Sequence, residues 1–318
     1  MTTSGVYSFS VSRDDIIRQS MLNIRRLDAD ENPTATESYD CQRVLNMLCK
    51  QWMGKSDFAP GLKVWTRKRG VMLLSNAYVY TIGVGSSGWT NAPLALITKL
   101  SIAAAAASTA ITPAGVVGAA AGYDIAVQLD SGVMFYTTIL SVVSGVVNLN
   151  VALPTSAALN NSVFVYVTAA QNPRKLESVI LRDQYSSDTP LTIMQAATYD
   201  ALPNKTDPLN TGDPTAVYYE EDIFTSRIYL DVGLPQDIGK YLVLTYMEPV
   251  QDFVNPTDTP YYPQEWYLAL CWGLSEQICP MFGSPWTDKM ESLKLNALAI
   301  ARNHGAEVVD MYFQPGIE

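Results

Sequence analysis

Histidine is almost absent from this sequence: His304 is the only one in 318 residues. A single imidazole excludes a histidine-rich metal site and leaves a Ser–His–Asp or thiolate mechanism no other base to work through. Near the end of a predicted helix, His304 reads as a complement to the helix dipole rather than as a catalyst. Cysteine is nearly as sparse, with Cys41, Cys49, Cys271 and Cys279 in two pairs eight residues apart. That spacing is not the spacing of a zinc knuckle. On a helix it turns the two thiols roughly 80° apart, so they read as small buried hydrophobes and not as disulfide partners.

Charge is also scarce, at 16% of residues, and it leans acidic: 21 bases against 31 acids give a formal net charge of −10. That balance excludes a general nucleic-acid binder held by phosphate contacts. The longest weakly polar run, residues 101–126, is rich in Ala, Gly and Thr, contains Pro113 and lacks the Leu, Ile and Phe density of a bilayer span. Met1 to Ser12 carries neither the basic nor the apolar region of a signal peptide, so a reducing, cytosol-like place of synthesis is expected. No P-loop or nucleophile elbow is present. Gly83-Val84-Gly85-Ser86-Ser87-Gly88 matches G-x-G-x-x-G, but Trp89 to Pro93 cannot continue as the helix that would receive a pyrophosphate, so a loop is expected there.

The charges that exist are unevenly placed. Residues 70–172 hold one base and two acids across 103 positions, whereas residues 173–262 hold six bases and fourteen acids. Such a low-charge stretch must be solvated by Ser, Thr and Asn, and it suits a module that packs against copies of itself.

Both ends read as helical. Ser12 with Asp15 and Thr34 with Glu37 are capping boxes; Ile17, Met21 and Ile24 follow the first, and Cys41, Val44, Leu45, Leu48 and Trp52 follow the second, up to Gly54. At the far end, Pro263 opens a helix carrying Trp266, Leu270, Leu274 and Ile278. Ser284-Pro285 is read as the cap of a last helix with Leu293, Ala297, Ile300 and Ala301 on one face. Between these ends lie β-branched and aromatic runs: 64–74, 76–82, 124–129, 133–142, 146–149 and 163–168, then 176–181, 191–194, 216–219, 227–230 and 241–248. Asp130-Ser131-Gly132 and Ser144-Gly145 are hairpin turns in this reading.

The expected class is therefore α+β. Residues 1–62 and 263–318 are expected to form one helical domain of two αα-hairpins. Residues 63–172 are expected as an inserted antiparallel sandwich or barrel, and 173–262 as a second β subdomain.

Few residues point to chemistry, and no catalytic residue, metal or cofactor is assigned. Glu220-Glu221-Asp222 is an acidic tip beside aromatics, and paired carboxylates suffice for glycoside hydrolysis, but neighbours on a strand point apart and a solvated turn is the simpler reading. Arg67-Lys68-Arg69 can contact phosphate or guard a strand edge, with the edge favoured. The apolar residues Val308, Val309, Met311, Tyr312 and Phe313 suit a docked contact.

From about Pro173 to Gly283 the chain resembles the tail-adaptor, or head-to-tail connector, proteins of short-tailed bacteriophages. The resemblance is carried by Pro190-Leu191, Tyr199-Asp200-Ala201-Leu202-Pro203-Asn204-Lys205, Gly212-Asp213-Pro214, Tyr218-Tyr219, Ile228-Tyr229-Leu230, Tyr246 to Phe253 and Asp258 to Leu270. Tyr229 to Pro235 departs from the aromatic-proline end expected of the family. Gly122-Tyr123-Asp124-Ile125 through Asp130-Ser131-Gly132, Thr137-Thr138 and Ala152-Leu153-Pro154 look like the inserted β domain of its larger members. The resemblance implies a virion protein at the head–tail junction, a homo-oligomeric ring of twelve copies between the portal and the tail nozzle. Tail fibres are further candidate partners, and DNA only passes through the channel. It implies that Val308, Val309, Met311, Tyr312 and Phe313 face the portal, and that no stable membrane contact is made. The alternatives are a peptidoglycan hydrolase working through a carboxylate pair that includes Glu220, and a carbohydrate-binding module on the Tyr- and Trp-rich β region.

Overall fold

A computed structural model describes residues 8–54, 66–91, 93–167, 172–223 and 225–304. The architecture is mixed helix and strand. It begins with α1 (Arg13–Asn23) and α2 (Ala35–Met53). The strands then run β1 (Arg67–Leu73), β2 (Val79–Ile82), β3 (Trp89–Thr90), β4 (Leu96–Ile102), β5 (Ala110–Pro113), β6 (Asp124–Gln128), β7 (Met134–Val143), β8 (Val146–Leu149) and β9 (Ser162–Tyr166). After them come β10 (Lys175–Arg182), β11 (Asp188–Met194), α3 (Ala196–Asp200), β12 (Thr211–Gly212), β13 (Ala216–Glu220) and β14 (Ser226–Leu230). Last among the described residues come β15 (Leu234–Pro235), β16 (Tyr241–Met247), α4 (Tyr267–Ile278) and α5 (Asp288–His304). No helix among the described residues is long and apolar enough to cross a membrane.

Two compact units divide the chain, Met1–Thr66 with Pro249–Glu318, and Arg67–Glu248. In the first, both capping boxes are formed: the Ser12 and Thr34 hydroxyls accept from the backbone amides of Asp15 and Glu37, whose carboxylates accept from the cap amides in return. Ile16, Ile17 and Met21 of α1 and Leu45, Cys49 and Trp52 of α2 share one core with Leu270 and Leu274 of α4 and Ala297 and Ala301 of α5. Ser20 of α1 ties to α4 by donating to the Cys271 carbonyl at 2.9 Å.

Three details differ from the sequence reading. A short 3₁₀ turn, Gln264–Trp266, precedes α4, so that helix starts later than Pro263. The last helix starts at Asp288, and Thr287, not Ser284, accepts its first amide through the carbonyl bond from Glu291. On α5, Ala297 and Ala301 are buried, whereas Leu293 and Ile300 are exposed at 40% and 64%.

The second unit holds two large β structures and a small two-stranded sheet of β12 and β15. Strands β4-β5-β8-β7-β6-β9 close into a barrel, and β2-β14-β13-β11-β10-β16-β1-β3 form an eight-stranded sheet. The boundary drawn at residue 63 is thereby corrected: β1, β2 and β3 belong to the sheet with β10, β11, β13, β14 and β16, and the barrel takes only residues 96–166. Hydrophobic alternation shows which residues are buried, but not which strand a buried strand pairs with. Strands β4 and β5 lie in a stretch the sequence reading leaves unassigned: β4 reads Leu-Ile-Thr-Lys-Leu-Ser-Ile, a strand-like run that it passes over, and β5 is only four residues, Ala-Ile-Thr-Pro, too short to mark a strand by alternation. The β6–β7 and β7–β8 hairpins turn at Gly132 (φ 78°) and at Ser144-Gly145 (φ 51° and 83°). Two successive positive φ values are what a two-residue hairpin needs to match strand twist.

Every residue of β9 is buried, and its alternation explains how. Val163 and Val165 point into the barrel with Ile125, Val127 and Ile139, while Phe164 and Tyr166 join Val71, Leu73, Tyr241 and Val243 of the sheet in a second cluster. The opposite face of the sheet buries a third, with Met72, Leu242, Leu244, Tyr246 and Trp89.

Candidate functional site

The cluster between barrel and sheet covers Val71 and Leu73 of β1 and Tyr241 and Val243 of β16, and then it stops. One step further along the same face of each strand the side chains become polar. Arg69 stands opposite Thr245, and Thr245 stands opposite Ser178 of β10, so these three form a row across three adjacent strands. Arg67 lies two residues beyond Arg69, where period-two alternation returns it to that face.

The β10–β16 register shifts between Leu176 and Ser178, which makes Glu177 a bulged residue. A bulge re-aims a side chain. Here the Arg67 Nε donates to Glu177 Oε2 at 2.6 Å, spanning the strand between them. Lys68, on the alternate face, lies 3.7 Å from the buried carboxylate of Glu248. Arg69 makes no ion pair or hydrogen bond among the described residues, and its field reaches Asp188, whose carboxyl is held below the ordinary range chiefly by the Arg182 guanidinium. Arg67, Lys68, Arg69, Glu177, Ser178 and Thr245 line an open cleft of about 620 Å³. A second cleft of about 330 Å³ shares Arg69 and is lined by Val71, Leu94, Ile97, Tyr241 and Val243 together with Arg182.

At the acidic tip the carboxylates are already engaged. Glu220 accepts from the Tyr229 hydroxyl at 2.8 Å and lies 3.5 Å from Arg227, and Glu221 pairs with Arg174 at 3.4 Å. The hydrogen bond to Glu220 is the main reason the Tyr229 phenol titrates above its ordinary value.

Tyr199 and Tyr218, which the sequence reading singled out within separate motifs, are brought together with Tyr229. Tyr199 stacks on Tyr218 at 5.3 Å, Tyr218 on Tyr229 at 5.6 Å, and Lys205 sits 4.4 Å above the Tyr199 ring while donating to the Tyr199 carbonyl at 2.7 Å. These motif residues form a packed knot in the second unit.

The Gly83–Gly88 segment leads into β3, with positive φ at Gly83, Gly85 and Gly88 and the Gly88 amide donating to the Tyr166 hydroxyl. The four cysteines are free and buried. Among the described residues no group of three His, Cys, Asp or Glu side chains is arranged to hold a metal. Val308, Val309, Met311, Tyr312 and Phe313 lie outside the described residues, as does the side chain of His304. No protein-family model matches this chain, and no curated protein does.

Proposed function

We propose that this chain is a structural, non-enzymatic virion protein of the tail-adaptor kind. In this reading it forms a ring, of twelve copies on the family pattern, that joins the portal to the tail nozzle, retains packaged DNA and provides the channel for its ejection. The observation that carries the reading is the chain's plan. Helices from the first 66 residues and from the last 70 share one core, and the whole β unit departs from it at Arg67 and returns at Glu248. A helical unit built from both chain ends and interrupted by an inserted β region is what the resemblance implies.

Charge and surface are consistent with that plan. A charge of −10 per copy, repeated around a ring, repels DNA and lets it slide through without adhering. Exposed Leu293 and Ile300 on α5 and Ile102, Leu140 and Val143 on the barrel offer apolar contacts to neighbours. The portal-facing role of residues 308–313 and any contact with tail fibres belong to the same proposal.

Native mass spectrometry and negative-stain images of the purified chain, with and without portal protein, test it. Rings in the presence of portal are expected. A chain that stays monomeric and does not associate with portal would overturn the assignment.

A further inference from the structure

The polar cleft on β1, β16 and β10 is not explained by ring building, and it is not explained by strand-edge protection alone. Among the described residues β3 pairs only with Val71 and Met72, so charges at residues 67–69 do guard the rest of that edge. An edge guard needs charge and nothing more. Here the cleft also contains the hydroxyls of Thr245 and Ser178, one and two strands inward from the edge, and a bulge whose carboxylate fixes Arg67.

The donor set is specific. Arg69 presents a planar fork of N–H groups with no carboxylate within ion-pair distance among the described residues, and two hydroxyls follow it in one row, Thr245 on the next strand and Ser178 on the one after. The carboxylate in the cleft, Glu177, is already bound to Arg67 and adds to positioning rather than to repulsion. A guanidinium fork beside hydroxyl donors matches a tetrahedral oxyanion, because the fork takes two oxygens and the hydroxyls can reach others. We propose that this cleft binds a phosphate-class oxyanion through Arg69, Thr245 and Ser178.

The second cleft gives the ligand a further feature. Arg69 forms part of both walls, and beyond it lie Val71, Leu94, Ile97, Tyr241 and Val243, with Arg182, already paired with Asp188, as the other charged lining residue. A phosphate monoester carrying an apolar or aromatic group would use both clefts, whereas inorganic phosphate would use only the polar one. The inference does not depend on the ring reading and stands or falls separately.

The test is calorimetric titration of the full chain with inorganic phosphate and with adenosine monophosphate, using acetate as the control anion. Saturable binding of phosphate, weakened about tenfold or more by Arg69→Gln and severalfold by Thr245→Val, is the expected result, since a charge-assisted bond contributes more than a neutral one. Arg69→Lys keeps the charge without the fork and should fall between the wild type and Arg69→Gln. Thermal unfolding of each variant shows that the fold is retained. Tighter binding of the nucleotide than of phosphate identifies an organic monoester as the ligand; equal binding identifies the phosphoryl group alone. The proposal is overturned if neither probe saturates by about 10 mM, a weak single-site range. It is equally overturned if acetate binds as well as phosphate, or if Arg69→Gln leaves phosphate binding intact while promoting aggregation, the behaviour of a pure edge guard.

Discussion

Gly70 has room for a hydrogen and nothing larger. A Cβ there would lie 2.4 Å from the ring of Trp89 and 2.9 Å from the Thr90 carbonyl oxygen. Trp89 is fully buried and packs on Tyr246 at 5.4 Å, so the ring has nowhere to retreat. Gly70→Ala should lower the stability of the β unit by about 1–3 kcal/mol, the usual cost of overpacking. Urea unfolding followed by Trp fluorescence reads this; an unchanged midpoint would mean the β1–β3 contact is loose. The thiols permit a second residue-level prediction. Burial pushes Cys41 up to about 11 and Cys49 and Cys271 to about 12, and it also raises Cys279. All four belong to the helical core. They should resist a thiol reagent at pH 8 in the native protein and react together as the helical unit opens in denaturant, because only an exposed thiolate is nucleophilic. Labelling of the native chain at the rate of a free thiol would contradict that placement.

At the scale of the element, the two capping boxes control helix stability and its pH dependence. The amide and hydroxyl of Thr34 hold Glu37 below its ordinary 4.5, and the Ser12 hydroxyl and amide do the same for Asp15. A carboxylate whose folded pKa is depressed stabilises the fold above its unfolded pKa and loses that contribution as pH falls through the folded value. The helical unit should therefore weaken below about pH 4.5. Thr34→Ala should cost about 1 kcal/mol at pH 7 and less at pH 3, below the ordinary Glu value, where the stabilisation linked to the Glu37 carboxylate is already declining. Urea midpoints by circular dichroism at the two pH values measure this, and an equal loss at both would mean the Glu37 half of the box contributes nothing. Gly273 is a packing counterpart: a Cβ there would meet the Trp52 ring at 2.8 Å, where α2 crosses α4.

These elements show what the sequence could disclose. Capping boxes are patterns three residues long, so Ser12, Asp15, Thr34 and Glu37 were readable. Ser284-Pro285 has the same local chemistry, yet the helix begins at Asp288, because a cap motif states that a helix can start there and packing selects the turn that does. The hairpin turns were legible for the same local reason. Sheet membership was not, since β1 pairs with β16 far along the chain and nothing local encodes the partner. The site divides in the same way. The triplet Arg67-Lys68-Arg69 is conspicuous in a chain so poor in charge, but Glu177 reaches Arg67 from 110 residues away through a bulge, and Ser178 and Thr245 join only through strand register.

The distribution of charge gives the whole molecule its sharpest test of the ring reading. The 103 residues with three charges supply all six barrel strands, and exposed Ile102, Leu140 and Val143 lie on that nearly neutral surface. The residues after 172 carry an excess of twelve acids over bases. If copies meet through the barrel, attraction comes from apolar and amide contacts that salt does not screen, while repulsion comes from acids that salt does screen. The Debye length shrinks from about 10 Å at 0.1 M to about 3 Å at 1 M, so added salt should remove repulsion faster than it removes attraction. Raising the salt from about 0.05 M to about 0.5 M should increase the fraction of chain found in rings on portal, measured by sedimentation velocity. Rings that dissolve in salt would mean that ion pairs hold the copies together, and the barrel would then have to be withdrawn as the contact surface. Leu140→Lys separates the same two cases at one residue. It places a charge on the neutral surface at a side chain already 60% exposed, so it should leave the unfolding midpoint unchanged and reduce ring formation only if the barrel is where copies meet.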